Sequence, residues 1–276
     1  MKLVWIVLLS VIGVATGCND AIEATSSPND ATSNEQPIIS PKPARTNDSL
    51  IALYEFNLGA LNNTVYDTSG YGVAQNIFIR DMTAVTWLSR GLRIDSPVEI
   101  VTGDGATNSI IRPTQIETAV KATDNLTWEA WIKPANITQT GQATIFSYSY
   151  YTSTKNIMVG QDGGEYTVHF TTDSAGIDMT TQSNAATVSL THLAVTWSSV
   201  SNELRLYVNG SLVITTPCSG SANGSWQDLP IRVGHEIDDF SPAKVKTWLG
   251  EIYLIAMYDR VLTDAEILNN YYAGTP

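Results

Sequence analysis

The sequence predicts an all-β protein, an antiparallel sandwich of two sheets that ends in one short helix. Three observations lead to this prediction. Almost every apolar run after residue 49 is short and bounded by Gly, Asn, Asp or Pro. Several runs alternate apolar with polar residues, which is typical of half-buried strands. Turn sequences that join antiparallel strands, such as Asn209-Gly210, separate the runs.

The clearest single strand covers residues 126–134, Leu-Thr-Trp-Glu-Ala-Trp-Ile-Lys-Pro. The even-numbered residues from Leu126 to Ile132, including Trp128, share one face, because side chains alternate along a strand. We expect that face in the core and the other face, which carries Glu129, on the polar surface of the sandwich. Pro134 ends the strand because it cannot donate a hydrogen bond to a neighbour.

Two hairpins follow from turn chemistry. Residues 203–208 and 211–214 flank Asn209-Gly210, a pair that supplies the two positive φ angles of a type I′ turn. A second hairpin joins residues 157–160 to 165–170 through an Asp-Gly turn. Both predict neighbouring antiparallel strands.

The C-terminal segment predicts a long apolar strand over residues 248–258, followed by a helix. Thr263 and Glu266 have the spacing of a capping box, in which each side chain accepts the other residue's free N–H, and Gly274 ends the helix. No other segment shows helical periodicity of useful length, so we expect one helix.

The N-terminus is typical of an export signal, with Lys2, an apolar run over residues 3–14 and small residues before Cys18. Residues 15–18 resemble the lipobox of bacterial lipoproteins, which implies a signal peptide over residues 1–17 and a lipid anchor on Cys18. An ordinary signal peptide is the alternative. Such an anchor would place the protein in the bacterial cell envelope, and Asn19 favours the outer membrane, in a periplasmic or surface-facing position.

The amino-acid composition distinguishes an N-terminal tether from a folded domain that follows it. Residues 18–48 are rich in Ser, Thr, Pro and Asn and predict a disordered, lipid-anchored tether. Residues 49–276 have the length of one large all-β domain. The formal charge of −12, from 15 Lys and Arg against 27 Asp and Glu, argues against nucleic acid and anionic lipid as partners, because both require a basic surface.

Four segments, in order, resemble the laminin-G-like or pentraxin-like jelly-roll domains of the concanavalin A-like lectin/glucanase superfamily. They cover residues 53–57, 65–72, 126–134 and 250–267, and the turn at 206–210 is a fifth match. The resemblance implies a two-sheet jelly roll. It leaves function open, because this superfamily includes lectins, adhesion modules and hydrolases.

The resemblance also implies a structural calcium ion at the turn that begins with Asp67. In similar domains this Asp joins backbone carbonyl groups around the ion, and Ser69, Gly70 and Tyr71 would supply them here. Calcium requires several oxygen ligands at about 2.3–2.6 Å. One departure is Tyr253, which stands where many relatives have an Asp. The alternative is that Asp67 only caps its own turn.

Residues 147–153, Ser-Tyr-Ser-Tyr-Tyr-Thr-Ser, are the candidate ligand-binding segment. A tyrosine ring combines an apolar face with a hydroxyl group, which suits contact with a sugar. We therefore name Tyr148, Tyr150 and Tyr151 as candidate ligand-binding residues. The alternative is that these rings only cover a face of the sheet.

No catalytic residue is predicted. A retaining glucanase needs two carboxylates about 5–5.5 Å apart, which hydrolases of this superfamily place on one strand as Glu-x-Asp-x-x-Glu. Glu129, Glu236 and Glu251 each lack that pattern. We expect a membrane-anchored, noncatalytic module that recognises a glycan or a protein. A polysaccharide hydrolase and a purely structural envelope lipoprotein are the alternatives.

Overall fold

The computed structural model describes residues 42–57, 63–241 and 243–276, which lie in a compact unit from Lys42 to Pro276. The export signal and Cys18 lie outside the described residues. In chain order the strands are β1 (Leu50–Glu55), β2 (Thr64–Val65), β3 (Ile77–Ile79), β4 (Val85–Leu88), β5 (Gly91–Ile94), β6 (Ile100–Asp104), β7 (Ser109–Ile110), β8 (Asn125–Pro134), β9 (Ala143–Ser149), β10 (Lys155–Asp162), β11 (Glu165–Thr171), β12 (Gly176–Thr180), β13 (Thr191–Ser198), β14 (Glu203–Val208), β15 (Ser211–Pro217), β16 (Ile231–Val233), β17 (Glu236–Ile237), β18 (Lys244–Val245) and β19 (Gly250–Tyr258). The helices are a short 3-10 helix (Met82–Ala84), α1 (Thr114–Thr123) and α2 (Asp264–Ala273).

The described strands form two antiparallel sheets. The first has the order β15-β14-β13-β8-β19-β5-β4, with β1 also paired to β19. The second has the order β12-β11-β10-β9-β16-β6-β3-β2, with β7 also paired to β6. Strands β17 and β18 form a separate hairpin. The predicted all-β, two-sheet jelly-roll sandwich with a C-terminal helix is confirmed.

Large aromatic side chains fill the space between the two sheets. Trp128 of β8 lies 5.4 Å from Phe146 of the second sheet, measured between ring centroids, and Trp197 lies 4.8 Å from Phe170. All four side chains are fully buried. The expected core face of residues 126–134 is therefore confirmed.

The other face of β8 differs from the expectation of a polar surface. Glu129 is fully buried and Trp131 is 5% exposed, because α2 covers this side of the first sheet. The ring of Trp131 stacks on Tyr271 of α2 at 5.7 Å. Arg45, from the segment that precedes β1, also reaches Glu129. The alternation of apolar and polar residues in β8 correctly predicted which residues share a face. It could not show that the second face is also covered, because α2 and Arg45 come from distant parts of the sequence.

Helix α1 was not predicted, and the expectation of a single helix is wrong. It begins after Pro113, and its apolar side consists of Ile116, Ala119 and Val120, all buried. These positions have the i, i+3, i+4 spacing of an amphipathic helix. Both α-helices of the described residues have 10 residues. Helix α1 lacks the capping box that marks the start of α2, because its N-cap is Pro113, which has no side-chain cap.

The predicted turns and cap are confirmed. Asn209 and Gly210 have φ angles of 52° and 76° between β14 and β15. The side chains of Thr263 and Glu266 form the capping box at the start of α2, and Gly274 is its C-cap. In the described part of the chain, no helix is long and apolar enough to cross a membrane.

Candidate functional site

The turn between β9 and β10 presents two tyrosines at one end of the second sheet. Tyr150 N donates to Thr154 O at 2.9 Å, which closes the turn. The rings of Tyr150 and Tyr151 meet edge to face with centroids 4.5 Å apart. Tyr151 is 36% exposed. The turn therefore holds a fixed aromatic pair that solvent can reach.

The β17–β18 hairpin lies against this turn. Asp239 accepts hydrogen bonds from the side chains of Thr152 and Ser153 and, at 3.1 Å, from the backbone N–H of Ser153. The hydrogen bond from Ser153, followed by that from Thr152, lowers the pKa of Asp239. Thr152 N also donates to Ile237 O at 3.0 Å. These bonds join the two turns through one carboxylate.

A cavity of about 430 Å³ lies between the two turns, within the range of about 300–1,000 Å³ that is common for ligand pockets. Its wall combines aromatic rings with charged groups. Phe240, at 98% exposed, lies at its edge. The lining residues are Glu99, Ile110, Tyr150, Tyr151, Arg232, Ile237, Asp238, Asp239, Phe240, Ser241 and Lys244.

Arg232 is the most buried charged group of this lining, at 3% exposed. Its neighbours in β16, Ile231 and Val233, are core residues, so alternation turns Arg232 to the outer face of the sheet. Its Nη1 donates to Glu99 Oε1 at 3.0 Å, while Nε is buried without a hydrogen-bond partner. Burial lowers the pKa of Arg232, and the contact with Glu99 opposes this effect.

A second cavity, of about 240 Å³, lies on the other side of the same tyrosine pair. Arg112 lines it, and its guanidinium carbon lies 5.2 Å from the centroid of the Tyr150 ring, a cation–π contact. Tyr150 and Tyr151 thus separate two neighbouring cavities. Its lining residues are Arg112, Tyr150, Tyr151, Thr154, Gln227, Asp228 and Leu229.

Glu236 fixes the base of the β17–β18 hairpin. Its carboxylate is fully buried, and its oxygens lie 3.7 Å from Lys155 Nζ and 3.4 Å from Lys246 Nζ. Neither oxygen accepts a hydrogen bond from the described residues. Burial raises the pKa of Glu236, against the opposing charges of the two lysines.

Tyr148 lies apart from the other two candidate tyrosines. Its side chain is fully buried in the core, its ring meets Trp226 edge to face at 5.8 Å, and its hydroxyl donates to Pro113 O. This differs from the expectation of ligand contact, because a side chain on the core face cannot meet a surface ligand. Tyr150 and Tyr151, in the turn, do line the cavity.

The expected calcium residues form a tight turn. Asp67 Oδ1 accepts hydrogen bonds from the N–H groups of Leu53 and Ser69, and Oδ2 accepts one from Gln75 N. Ser69 Oγ accepts a hydrogen bond from Tyr71 N, and Gly70 has a φ of 74°. Within the described residues, no three His, Cys, Asp or Glu side chains group closely enough to hold a metal ion. The three N–H contacts favour the turn-capping alternative, and calcium here stays a prediction.

Glu129 lies at the centre of a buried polar cluster on the first sheet, whereas the cavity lies beside strands of the second sheet. Its carboxylate accepts hydrogen bonds from Arg45 Nη1 at 2.5 Å, Tyr258 OH at 2.9 Å, His192 Nε2 at 3.1 Å and Asn270 Nδ2 at 3.1 Å. Burial by itself would raise its pKa, but the His192 hydrogen bond and the Arg45 charge outweigh that effect and hold the pKa at about 2. Glu129 has no solvent access, so this cluster is structural.

The family of the chain is decided by a match between residues 104–268 and a family model of the Concanavalin A-like lectin/glucanases superfamily. The match covers more than half of the chain and includes both turns around the cavity. The chain belongs to this superfamily.

Solved structures agree with this concanavalin A-like fold. The binding domain of botulinum neurotoxin serotype C1 is similar with a TM-score of 0.62 and 14% identity, over 83% of this chain and 53% of that one. The botulinum neurotoxin DC binding domain in complex with SialylT has a TM-score of 0.56 and 16% identity, over 82% and 51%. The same domain with rat synaptotagmin II has a TM-score of 0.55 and 16% identity, over 82% and 51%.

These similarities concern the fold. The chain spans about half the length of the neurotoxin binding domains that it matches. A comparison with curated proteins found no match.

Sequence reasoning found the tyrosine turn but missed the rest of the cavity. In residues 231–233 an apolar residue stands on each side of Arg232. If this short strand is recognised, the alternation of side chains places Arg232 on the outer face of the sheet. Asp239 and Phe240 follow Glu236 in a segment that carries no motif beyond an incomplete hydrolase pattern. The contact of Asp239 with residues 152 and 153 spans more than 80 positions of the sequence, and no local pattern indicates it.

Proposed function

We propose that this domain is a noncatalytic binding module that holds a glycan in the cavity between the β9–β10 turn and the β17–β18 hairpin. The observation that carries the proposal is the combination of a fixed tyrosine pair with a buried, incompletely hydrogen-bonded Arg232 in one cavity. Aromatic faces suit the apolar side of a sugar ring, and polar groups fix its hydroxyls.

The carboxylates of the cavity support binding rather than hydrolysis. A glycosidase needs a general acid with a raised pKa and a second carboxylate as nucleophile or base. Asp239 has a lowered pKa and is bound to Thr152 and Ser153. Asp238 Oδ1 accepts hydrogen bonds from the N–H groups of Phe240 and Ser241. Glu99 forms ion pairs with Arg80 and Arg232. Each of these three carboxylates is therefore engaged in hydrogen bonds or ion pairs within the protein.

The structural neighbours agree with a binding role for this fold. They are binding domains of botulinum neurotoxins, one in complex with SialylT and one with rat synaptotagmin II. Those partners belong to those proteins. They support glycan binding as the proposal and a protein ligand as the alternative outcome of the same test.

Location is a separate part of the proposal. We infer from the lipobox-like segment that Cys18 carries the anchor, so that the module would act at a bacterial membrane, in the outer membrane if Asn19 has its usual effect. A structural envelope lipoprotein that binds no sugar is the alternative.

A glycan array that measures retention, followed by an assay for released reducing ends, tests the function. We expect the protein to retain at least one glycan and to release no reducing ends. Tyr151→Ala should bind that glycan about fivefold more weakly, since an aromatic contact contributes about 1 kcal/mol. Tyr272→Ala is the matched control, because Tyr272 is an exposed tyrosine on α2. Released reducing ends would contradict the noncatalytic role. Retention that Tyr151→Ala leaves unchanged would contradict the site.

A further inference from the structure

The chemistry of Arg232 narrows the class of glycan. A guanidinium group has five N–H donors in a planar fork. In this protein the side chain is 3% exposed, donates one hydrogen bond, from Nη1 to Glu99, and leaves Nε buried without an acceptor. Buried donors normally have partners. Glu99 is the one hydrogen-bond acceptor that the described residues place on this guanidinium. Because Arg232 lines the cavity, a ligand oxygen there would give the guanidinium a second acceptor.

The charge around Arg232 is only partly balanced from within the protein. Glu99 is its ion-pair partner, but Glu99 Oε2 also lies 2.6 Å from Arg80 Nε. One carboxylate is therefore shared by two guanidinium groups. Lys244 adds another positive charge to the cavity wall. The group of Arg80, Glu99 and Arg232 thus retains one positive charge, in a chain whose net charge is −12.

The other two acidic residues of the cavity, Asp238 and Asp239, lie in the hairpin loop and are already engaged. Asp239 is bonded to Thr152 and Ser153, and Asp238 caps its own loop. Their oxygens compete little for Arg232. The hairpin side of the cavity therefore carries Asp238, Asp239 and Lys244, and Arg232 lies on the sheet side. Tyr150 and Tyr151 lie between this cavity and the smaller one.

We propose that the cavity binds a sugar that carries a carboxylate, with that carboxylate on the guanidinium of Arg232 and the sugar ring against Tyr151. The planar fork of an arginine matches a carboxylate in geometry and charge, and such charge-assisted bonds are about twice as strong as neutral ones. This inference rests on the proposed glycan-binding function and specifies its ligand class.

Calorimetric titration of the full-length protein with matched ligands tests the inference. The probes are a galacturonic acid trimer, a glucuronic-acid-containing tetrasaccharide and a sialylated trisaccharide, each beside its carboxyl methyl ester. The ester retains the sugar rings and hydroxyls and removes only the negative charge. For at least one pair we expect the acid to bind at least tenfold more tightly than the ester, and this preference to fall as NaCl is raised.

Variants assign the preference to Arg232. Arg232→Gln should reduce the affinity for the acid to that for the ester and leave the ester's affinity within about twofold. Arg232→Lys retains the charge without the fork and should keep only part of the preference. Arg205→Gln is the control, because Arg205 lies on β14 of the other sheet and pairs with Glu203. The wild-type ratio of acid to ester needs no variant, so it decides the question even if a substitution at position 232 impairs folding.

The outcomes separate the inference from the function on which it rests. Equal binding of acid and ester, weakened by Tyr151→Ala, would overturn the carboxylate inference and leave the proposed glycan site in place. Binding of neutral glycans alone would do the same. No binding of any glycan, on this panel or on the array, would overturn both. An acid preference that Arg205→Gln reduces as much as Arg232→Gln would overturn the assignment to Arg232.

Discussion

Two fully buried glutamates show how their neighbours, rather than burial alone, determine ionisation. Glu129 accepts hydrogen bonds from four side chains, and its pKa falls to about 2. Glu236 has two lysines at 3.4 Å and 3.7 Å but accepts no hydrogen bond from the described residues, and burial raises its pKa. The four hydrogen bonds to Glu129, together with the positive charge of Arg45, account for the difference.

The stability of the protein should therefore fall in acid through Glu129. The pKa of this group drops from 4.5 to about 2 on folding, so the unfolded state binds the proton more tightly, and the stabilisation is complete above pH 4.5. It disappears as the pH falls from 4.5 to 2, and the loss amounts to about 3 kcal/mol. Urea denaturation between pH 2 and pH 7 measures it.

Substitutions check that assignment. Glu129→Gln should lose stability at pH 7 and should have a flatter profile between pH 2 and pH 4.5. Glu236→Gln is the matched control, for which we expect the opposite change in stability. The raised pKa of Glu236 means that its ionised form opposes folding, so the neutral Gln should preserve or increase stability at pH 7. Equal losses of stability for both variants would contradict this account.

Asp67 provides the second test at this scale. Its carboxylate organises three backbone N–H groups, and calcium at this turn remains a prediction. Thermal denaturation in calcium and in EDTA separates the two roles. A metal site predicts a higher Tm in calcium that Asp67→Ala abolishes. If the wild-type Tm is equal in both buffers and Asp67→Ala only lowers it, the turn role alone is correct.

At the level of elements, sequence predicted what local patterns determine. The turn at Asn209-Gly210 and the capping box at Thr263 depend on residues a few positions apart, and both are confirmed. The cover over Glu129 was missed, because its donors Arg45 and Asn270 are 84 and 141 positions away. Helix α1 was missed because it has no capping signal like that of α2, and the β17–β18 hairpin was missed because its strands have only 2 residues each.

The connection between the two turns of the cavity should be sensitive to Asp239. We expect Asp239→Ala to increase amide hydrogen exchange over residues 150–154 and 236–241 and to weaken glycan binding, because its carboxylate joins Thr152 and Ser153 to the hairpin. Asp104→Ala is the control, since Asp104 caps a separate turn at Ala106 and Thr107. Unchanged exchange in both segments would show that the turns do not depend on this contact.

For the whole molecule, the family and the two-sheet architecture could be predicted because five short segments occur in a fixed order along the chain, and both are confirmed. The ligand site could be predicted only in part. Tyr150 and Tyr151 are neighbours in sequence and were found, whereas Arg232 and Phe240 meet them only through the fold. Sites of this kind combine distant segments, which composition and periodicity do not bring together.

The predicted lipid anchor belongs to this scale too. Cys18→Ala should move the protein from the membrane fraction to the soluble fraction, measured by fractionation and immunoblotting. Cys218→Ala is the control and should leave the protein in the membrane fraction, because Cys218 is buried within the domain. A Cys18→Ala variant that stays with the membrane would contradict lipidation at this position.

The most direct test of the central claim is to locate the bound glycan on the protein by ¹H–¹⁵N NMR titration with the glycan that the array selects. The account predicts that the largest shifts occur in the amides of residues 150–153 and 236–241, with a change in the side-chain Nε–H signal of Arg232. Shifts confined to another surface, such as the turn at Asp67, would contradict a binding site between these two turns.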